Sequence, residues 1–100
     1  MDKHLAADLA KQEKILMKAA QDAAAFLEEL NERPVQVSFP RKPAPALPEE
    51  GLGAEKVGEL FKKEYLPYVP ASTGPRFFGY VIGGVTPAAL AGDWYASAID

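Results

Sequence analysis

Hydrophobic residues recur at steps of three and four positions through the first thirty residues of the chain. The stripe consists of Leu5, Leu9, Leu16, Ala20, Ala23, Leu27 and Leu30, widened by Ile15, Ala19 and Phe26. This spacing places apolar side chains on one face of an α-helix, with most charged residues on the other. Asp2 is a suitable N-cap, and Asn31 with Pro34 is a typical stop signal. We therefore predict one helix over residues 2–31, either a coiled-coil or bundle helix or an arm that packs on another subunit.

The segment after this helix is rich in proline. Residues 34–50 contain five of the nine prolines of the chain. Proline fixes φ and lacks an N–H donor, so the pattern predicts an extended connector rather than a helix or a central strand. Val35, Val37 and Phe39 alternate with polar residues, which favours a segment lying against a surface over a free linker.

Two further helices are predicted in the second half of the chain. Over residues 54–66, the residues Val57, Leu60, Phe61 and Tyr65 share one face, and Pro67 and Pro70 end the pattern. A third helix begins at Thr86, a good N-cap followed by Pro87 at the first helical position. Its apolar face comprises Leu90, Ala91, Trp94 and Ala98. No stop signal precedes Asp100, and we interpret this as the pattern of a fragment.

These patterns predict a mainly α fragment of three helices joined by a proline-rich extended segment and an apolar loop. We divide it into an N-terminal helical arm (1–33), the connector (34–53), and a helix, an apolar loop and the start of a further helix (54–100).

Composition excludes several classes of function. The net charge is −3, with 11 basic and 14 acidic residues and no basic cluster, so neither nucleic acid nor membrane is expected as a partner. The chain has no cysteine, and His4 is its only histidine. A thiolate or histidine-rich metal site and a Ser–His or Cys–His nucleophile are therefore not expected. No apolar run suits a membrane span or a signal peptide, so we expect a cytoplasmic protein.

The stretch from Pro75 to Trp94 is unusually apolar, with Arg76 and Asp93 as its only charged residues. Arg76 is interpreted either as an anchor for an acidic substrate or as part of a scaffold ion pair. Tyr80 is either a substrate contact or a partly buried core residue. The glycine pair 83–84 before a helix could cradle a phosphate, but glycine pairs are common in turns and Pro87 removes one donor.

One feature of this stretch resembles a known family. The sequence Pro-Arg-Phe-Phe at 75–78, followed after a short apolar loop by Leu-Ala-Gly-Asp-Trp at 90–94, resembles the N-terminal signature of the group II pyridoxal-phosphate-dependent amino-acid decarboxylases. These include the glutamate, aromatic amino-acid and diaminobutyrate enzymes. The Leu-Pro-Glu-Glu-Gly segment at 47–51, the helix after it and Pro67 follow the order of the family. The resemblance covers most of residues 35–100.

The resemblance implies a role for each part of the stretch. Family members are homodimers with the α/β aspartate-aminotransferase-like fold, and their N-terminal segment wraps over the neighbouring subunit. The loop after the Pro-Arg-Phe-Phe element lines the substrate side of the active site. Tyr80, Val81, Ile82 and Gly83 are therefore the expected substrate-binding residues, and Phe77, Phe78 and Trp94 the residues that anchor the loop.

The cofactor of the family, pyridoxal 5′-phosphate, is expected to be bound by a downstream domain absent from this chain. In the family a lysine that usually follows a histidine holds it, and none of the eight lysines here follows His4. We therefore expect no catalytic, cofactor-binding or metal-binding residue in this chain, which alone should be inactive. The expected function is the dimerisation and substrate-pocket segment of an amino-acid decarboxylase, with the rest of the enzyme and a second identical subunit as partners. The alternative is a small helical assembly protein that acts through its long amphipathic helix.

Overall fold

The structure is a computed structural model that describes residues 1–79 and 84–99. Its helices are α1 (Lys3–Ala10), α2 (Gln12–Glu28), α3 (Ala54–Glu64) and α4 (Pro87–Ile99), with a short 3₁₀-helix at Leu66–Tyr68. Helices account for 55% of the described residues, which include no strand. The expectation of mainly α structure is thus confirmed for the described residues, whereas the α/β fold implied for a full-length enzyme stays a prediction.

The chain divides into two compact units. The first contains Met1–Glu28 and Val37–Val69, and therefore holds α1, α2, α3 and the 3₁₀-helix. The second contains Glu29–Gln36 and Pro70–Asp100, and therefore holds α4. The connector thus contributes residues to both units, and within 34–53 the structure has neither a helix nor a strand.

The first helix differs from its prediction, because it is broken at Lys11 and ends at Glu28 instead of residue 31. At Lys11 the backbone has φ −115° and ψ 19°, and its N–H donates to the Asp8 carbonyl at 3.0 Å. No glycine or proline causes this break. It coincides with tertiary contacts to the start of α3, which the local pattern of hydrophobic residues does not encode.

Asp8 makes the principal contact between α1 and the start of α3. The N-cap residue of α3 is Gly53, whose φ of 85° lies in the left-handed region and which has no side chain to cap the helix. The carboxylate of Asp8 accepts a hydrogen bond from the Ala54 N–H at 2.9 Å. One turn later, Lys11 Nζ lies 2.7 Å from Glu55 Oε1. A residue 46 positions away therefore supplies the cap that α3 lacks locally.

The C-terminal end of α3 leads into an aromatic cluster, defined here as Phe39, Phe61, Tyr65 and Tyr68. The ring of Phe39 stacks on Tyr65 at a centroid distance of 5.9 Å and meets Tyr68 edge-on at 5.1 Å. Phe61 stacks on Tyr65 at 6.3 Å. These three centroid distances, and the angles between the ring planes, are typical of aromatic pairs. Phe39 thus fixes the connector against the first unit, as its alternating pattern indicated.

Pro67 explains why α3 ends two residues before its predicted limit. The residue before a proline is disfavoured in the α conformation, and the proline itself has no N–H. The chain therefore leaves the α-helix after Glu64 and forms the 3₁₀-helix at Leu66–Tyr68, with the Val69 N–H donating to the Leu66 carbonyl at 3.1 Å.

Two predicted helix caps are confirmed. The Asp2 carboxylate accepts hydrogen bonds from the N–H groups of His4 at 2.8 Å and Leu5 at 3.1 Å. At α4, Thr86 Oγ1 accepts from the Ala89 N–H at 3.2 Å, and Pro87 is the first helical residue. Among the described residues, no helix is long and apolar enough to cross a membrane.

Candidate functional site

The four expected substrate-binding residues, Tyr80, Val81, Ile82 and Gly83, lie outside the described residues. The structure describes the chain on both sides of them, up to Gly79 and again from Gly84. The candidate site is therefore built from its flanks, which are residues 70–79 and the segment leading into α4, both in the second unit.

A series of turns holds the segment that precedes the candidate loop. The Ala71 N–H donates to the Pro34 carbonyl at 2.9 Å, which ties this segment to the residues after α2. The Gly74 N–H then donates to the Ala71 carbonyl at 3.1 Å, and the Phe77 N–H to the Gly74 carbonyl at 3.3 Å. Ala71 is the one buried apolar residue among those described, with 1% of its surface exposed.

Arg76 is bound to backbone carbonyl groups. Its Nη2 donates to the carbonyl oxygens of Leu30 at 3.0 Å and Arg33 at 2.7 Å. The last carbonyl groups of a helix and its final turns lack partners within the helix, and a cation at that end is favourable. Of the two interpretations of Arg76, this geometry favours the scaffold, although its partners are carbonyl groups and not a carboxylate.

Two glycines permit close packing at the edges of the candidate loop. A Cβ atom at Gly79 would lie 2.9 Å from Phe77 Cζ, so the Phe77 ring folds back over a position where a larger residue would displace it. A Cβ atom at Gly84 would lie 3.2 Å from the Thr73 carbonyl oxygen. The described ends of the loop are therefore packed closely against their own unit, by Phe77 at one end and Thr73 at the other.

The expected anchoring residues have very different environments. Phe77 is partly buried, Trp94 is 43% exposed, and Phe78 is 92% exposed. On α4, Tyr95 and Ile99 are also largely exposed, at 68% and 77%. Any anchoring by Phe78 requires a surface other than the described part of this chain, so its role as an anchor stays a prediction.

Two of the described lysines, Lys11 and Lys62, differ from a lysine that is activated to form a Schiff base with pyridoxal phosphate. A lysine that forms such a Schiff base is activated by desolvation or by a cationic neighbour, which lowers its pKa. Hydrogen bonds do the opposite here: Glu55 raises the pKa of Lys11, and Asp22 raises the pKa of Lys62. The remaining lysines lie at the surface, where Lys3, Lys18 and Lys42 pair with Glu50, Asp22 and Glu64 and where Lys14, Lys56 and Lys63 are exposed.

A groove of about 860 Å³ lies between α2 and α3 in the first unit. Its lining combines small residues such as Ala19 and Gly58 with ion pairs between the helices. The central pair joins Lys62 Nζ to Asp22 Oδ2 at 3.2 Å. These charges neutralise one another, so the groove offers no unbalanced charge for a small ligand. No cluster of metal-ligating side chains occurs among the residues that the structure describes.

The sequence did not predict the contacts that hold the segment before the candidate loop. Arg76 was considered for its charge, but its carbonyl partners after α2 are 46 and 43 residues away in the sequence. No local pattern in the sequence indicates these partners. No protein-family model, curated protein or solved structure matches this chain.

Proposed function

We propose that this chain is the N-terminal dimerisation and substrate-pocket segment of a pyridoxal-phosphate-dependent amino-acid decarboxylase. One structural observation supports the proposal in addition to the motif at 75–94. Large apolar side chains at the end of the Pro-Arg-Phe-Phe element and on α4 are mostly exposed, namely Phe78, Tyr95 and Ile99. Exposed apolar patches of this kind are typical of surfaces that contact another protein or domain.

The hydrogen bonds that hold the segment before the loop agree with this proposal. Hydrogen bonds to the backbone hold Arg76 and Ala71, so the Pro-Arg-Phe-Phe element has a defined base within its own unit. The Phe77 ring folds back over Gly79, whereas Phe78 is 92% exposed. A fixed base with an uncovered aromatic side chain suits a loop that completes a pocket only when the rest of an enzyme covers it.

The apolar character of the loop suits the proposed reaction. Decarboxylation converts a carboxylate into neutral carbon dioxide, and a site that excludes water favours such a loss of charge. Val81 and Ile82 would supply apolar walls, and Tyr80 a single hydroxyl that can meet a polar group of the substrate. Because no lysine of this chain follows His4, the proposal assigns cofactor binding to another part of the enzyme.

The full-length protein from the reading frame that encodes this chain tests the proposal. We expect a downstream His-Lys pair, bound pyridoxal phosphate and release of carbon dioxide from an amino acid. Tyr80→Ala and Gly83→Val should each change the ratio of kcat/KM between two competing amino acids. The expected change corresponds to about 1–3 kcal/mol of discrimination. Val85→Ala, beside the loop, is the matched control and should leave that ratio unchanged. A protein with no cofactor lysine, or Tyr80 and Gly83 variants with unaltered discrimination, would contradict the proposal.

The second candidate is a helical assembly protein, and the exposed leucines of the first unit favour it. Leu5, Leu9, Leu16 and Met17 are each about half exposed on α1 and α2. This candidate predicts that the 100-residue chain alone forms a discrete oligomer, which Leu9→Glu and Leu16→Glu would dissociate in sedimentation experiments. A chain that stays monomeric at high concentration would exclude the second candidate and leave the first intact.

A further inference from the structure

The sequence of the segment Pro40–Pro48 biases its backbone toward an extended conformation. Four of its nine residues are proline, which fixes φ near the value of the polyproline II helix. Lys42, Ala44 and Leu47 each precede a proline, and this position disfavours the α conformation. Only Arg41 and Ala46 are free of both restrictions. Most of the entropy cost of forming a polyproline II helix is therefore already met in the free chain.

The structure leaves this segment open to a partner. Residues 37–48 form no helix, strand or turn, and every residue from 41 to 48 is exposed. Leu47 is 93% exposed, so a large apolar side chain stands in solvent. In the part of the chain that the structure describes, no backbone hydrogen bond involves residues 37–48. An extended backbone of this kind is available for recognition.

Both ends of the segment are fixed to the first unit. At the N-terminal end, Phe39 packs on Tyr65 and Tyr68 of the aromatic cluster. Toward the C-terminal end, the Ala54 N–H is held by the Asp8 carboxylate at 2.9 Å. A segment that is anchored at both ends and exposed between them is presented in a nearly fixed shape, which lowers the entropy cost of binding.

The spacing of residues places three recognition groups along one edge. A polyproline II helix has three residues per turn, so Lys42, Pro45 and Pro48 recur on the same edge, each about 9 Å from the next. Ala44 and Leu47 form the adjacent apolar edge, while Pro43 and Ala46 form the third. The cation of Lys42 therefore lies at one end of a strip formed by two X-Pro pairs, Ala44-Pro45 and Leu47-Pro48.

We propose that residues 42–48 are a docking segment for a protein module that binds polyproline II helices, with an aromatic-lined groove for the X-Pro pairs and carboxylates for Lys42. Aromatic grooves of this kind recognise segments with the Pro-X-X-Pro spacing found at 45–48. Lys42 is already paired with Glu64 at 3.2 Å in an exposed contact, and such contacts exchange at little cost. A carboxylate of the partner can therefore replace Glu64.

The test uses the whole chain and a purified, ¹⁵N-labelled SH3 domain of the class that binds peptides with a cation three residues before Pro-X-X-Pro. We expect saturable chemical-shift changes in the aromatic groove of that domain at chain concentrations below about 1 mM. The double variant Pro45→Ala, Pro48→Ala should weaken binding at least about tenfold, equivalent to ~1.4 kcal/mol. Lys42→Glu should also weaken binding and reduce its dependence on salt.

Pro43→Ala is the matched control, because it removes a proline from the third edge of the same segment. Its affinity should stay within about threefold of that of the unaltered chain, a difference well under 1.4 kcal/mol. Circular dichroism of each variant checks that the helical content is unchanged. Absence of saturable binding, or equal weakening by Pro43→Ala and by the double variant, would overturn the proposal. The decarboxylase proposal is untouched by either outcome.

Discussion

Two aromatic regions of the molecule look alike in sequence but differ in structure. The aromatic cluster of the first unit contains three ring contacts with centroid distances between 5.1 and 6.3 Å. The aromatic strip of the second unit, defined here as Phe77, Phe78, Trp94 and Tyr95, has no ring contact among the described residues. The rings of the first region contact one another, although Phe39, Phe61 and Tyr65 are each still 43–50% exposed, whereas the described rings of the second region make no such contact.

The difference depends on which residues from other parts of the chain pack against each region. In the first unit, the extended connector brings Phe39 back to α3, where it meets two tyrosines. In the second unit, the contacts that hold Arg76 and Ala71 are hydrogen bonds to the backbone, and they leave the Phe78 ring uncovered. Apolar character in a sequence therefore predicts that a residue will be covered, but not whether the same unit supplies the cover.

The largest expected effect tests whether an external surface covers Phe78. Phe78→Ala should change the unfolding free energy of this chain by less than about 0.5 kcal/mol, because the ring is exposed. In the proposed full-length dimer, the same substitution should cost about 3–5 kcal/mol, since it would leave a cavity. Chemical denaturation of both proteins measures the contrast. A small cost in both would show that Phe78 is not an anchor, and the comparison of the two regions would lose its functional meaning.

The next effect tests the aromatic cluster itself. Tyr65→Ala removes two ring contacts and should destabilise the first unit by about 2 kcal/mol. Tyr95→Ala, on the aromatic strip, is the control and should change stability by less than about 0.5 kcal/mol. Urea unfolding followed by circular dichroism measures both. If the two tyrosine variants lose equal stability, the ring contacts of the cluster contribute nothing beyond ordinary burial. The aromatic cluster and the aromatic strip would then not differ in their contribution to stability.

The sequence predicted the features of the fold that depend on neighbouring residues. The caps at Asp2 and Thr86 were predicted because a hydroxyl or carboxylate reaches an N–H two or three residues later. The positions of α3 and α4 followed from apolar spacing and from Pro67 and Pro87. Each of these signals acts within a few residues, which is the range over which a local pattern is informative.

The features that were missed depend on residues far apart in the chain. Nothing near Lys11 indicates a break, and the residues beside it contact the start of α3, more than 40 positions away. Arg76 binds carbonyl groups that are more than 40 positions away, and no periodicity reveals such a partner. Of the candidate site, the sequence predicted the motif and its flanking helix. It could not predict which phenylalanine packs within the unit and which one is exposed.

The cap that Asp8 gives to α3 is expected to have an intermediate effect. Asp8→Ala leaves the Ala54 N–H without its acceptor and should cost about 1 kcal/mol, as for other N-cap losses. Asp8→Asn keeps an oxygen acceptor and should retain most of that stability. Amide hydrogen exchange at the start of α3 provides the local measurement. Equal protection of these amides in the Ala variant and the unaltered chain would show that the cap does not contribute, and that Gly53 starts α3 unaided.

The smallest expected effect concerns the dependence of the first unit on pH. The hydrogen bond from Lys18, followed by that from Lys62, lowers the pKa of Asp22 from its ordinary value of 3.8, and the bond from Lys11 lowers that of Glu55 from 4.5. The same pairs raise the pKa values of Lys11 and Lys62 above 10.5. All four groups lie close to solvent, so screening by water and salt keeps the effect small.

The sign follows from which protonation state each contact favours. A carboxyl group with a lowered pKa stabilises the folded unit above its ordinary pKa, and this contribution disappears as the pH falls through the lowered value. A lysine with a raised pKa stabilises below 10.5, and its contribution disappears as the pH rises through the raised value. The urea midpoint, measured at fixed ionic strength, should therefore stay level between about pH 5 and 10 and fall on both sides. The double variant Lys11→Met, Lys62→Met should flatten the decline at high pH and reduce the decline at low pH, where the Lys18–Asp22 pair remains. An unaltered profile in that variant would assign the pH dependence to other groups and leave the aromatic cluster as the principal support of the first unit.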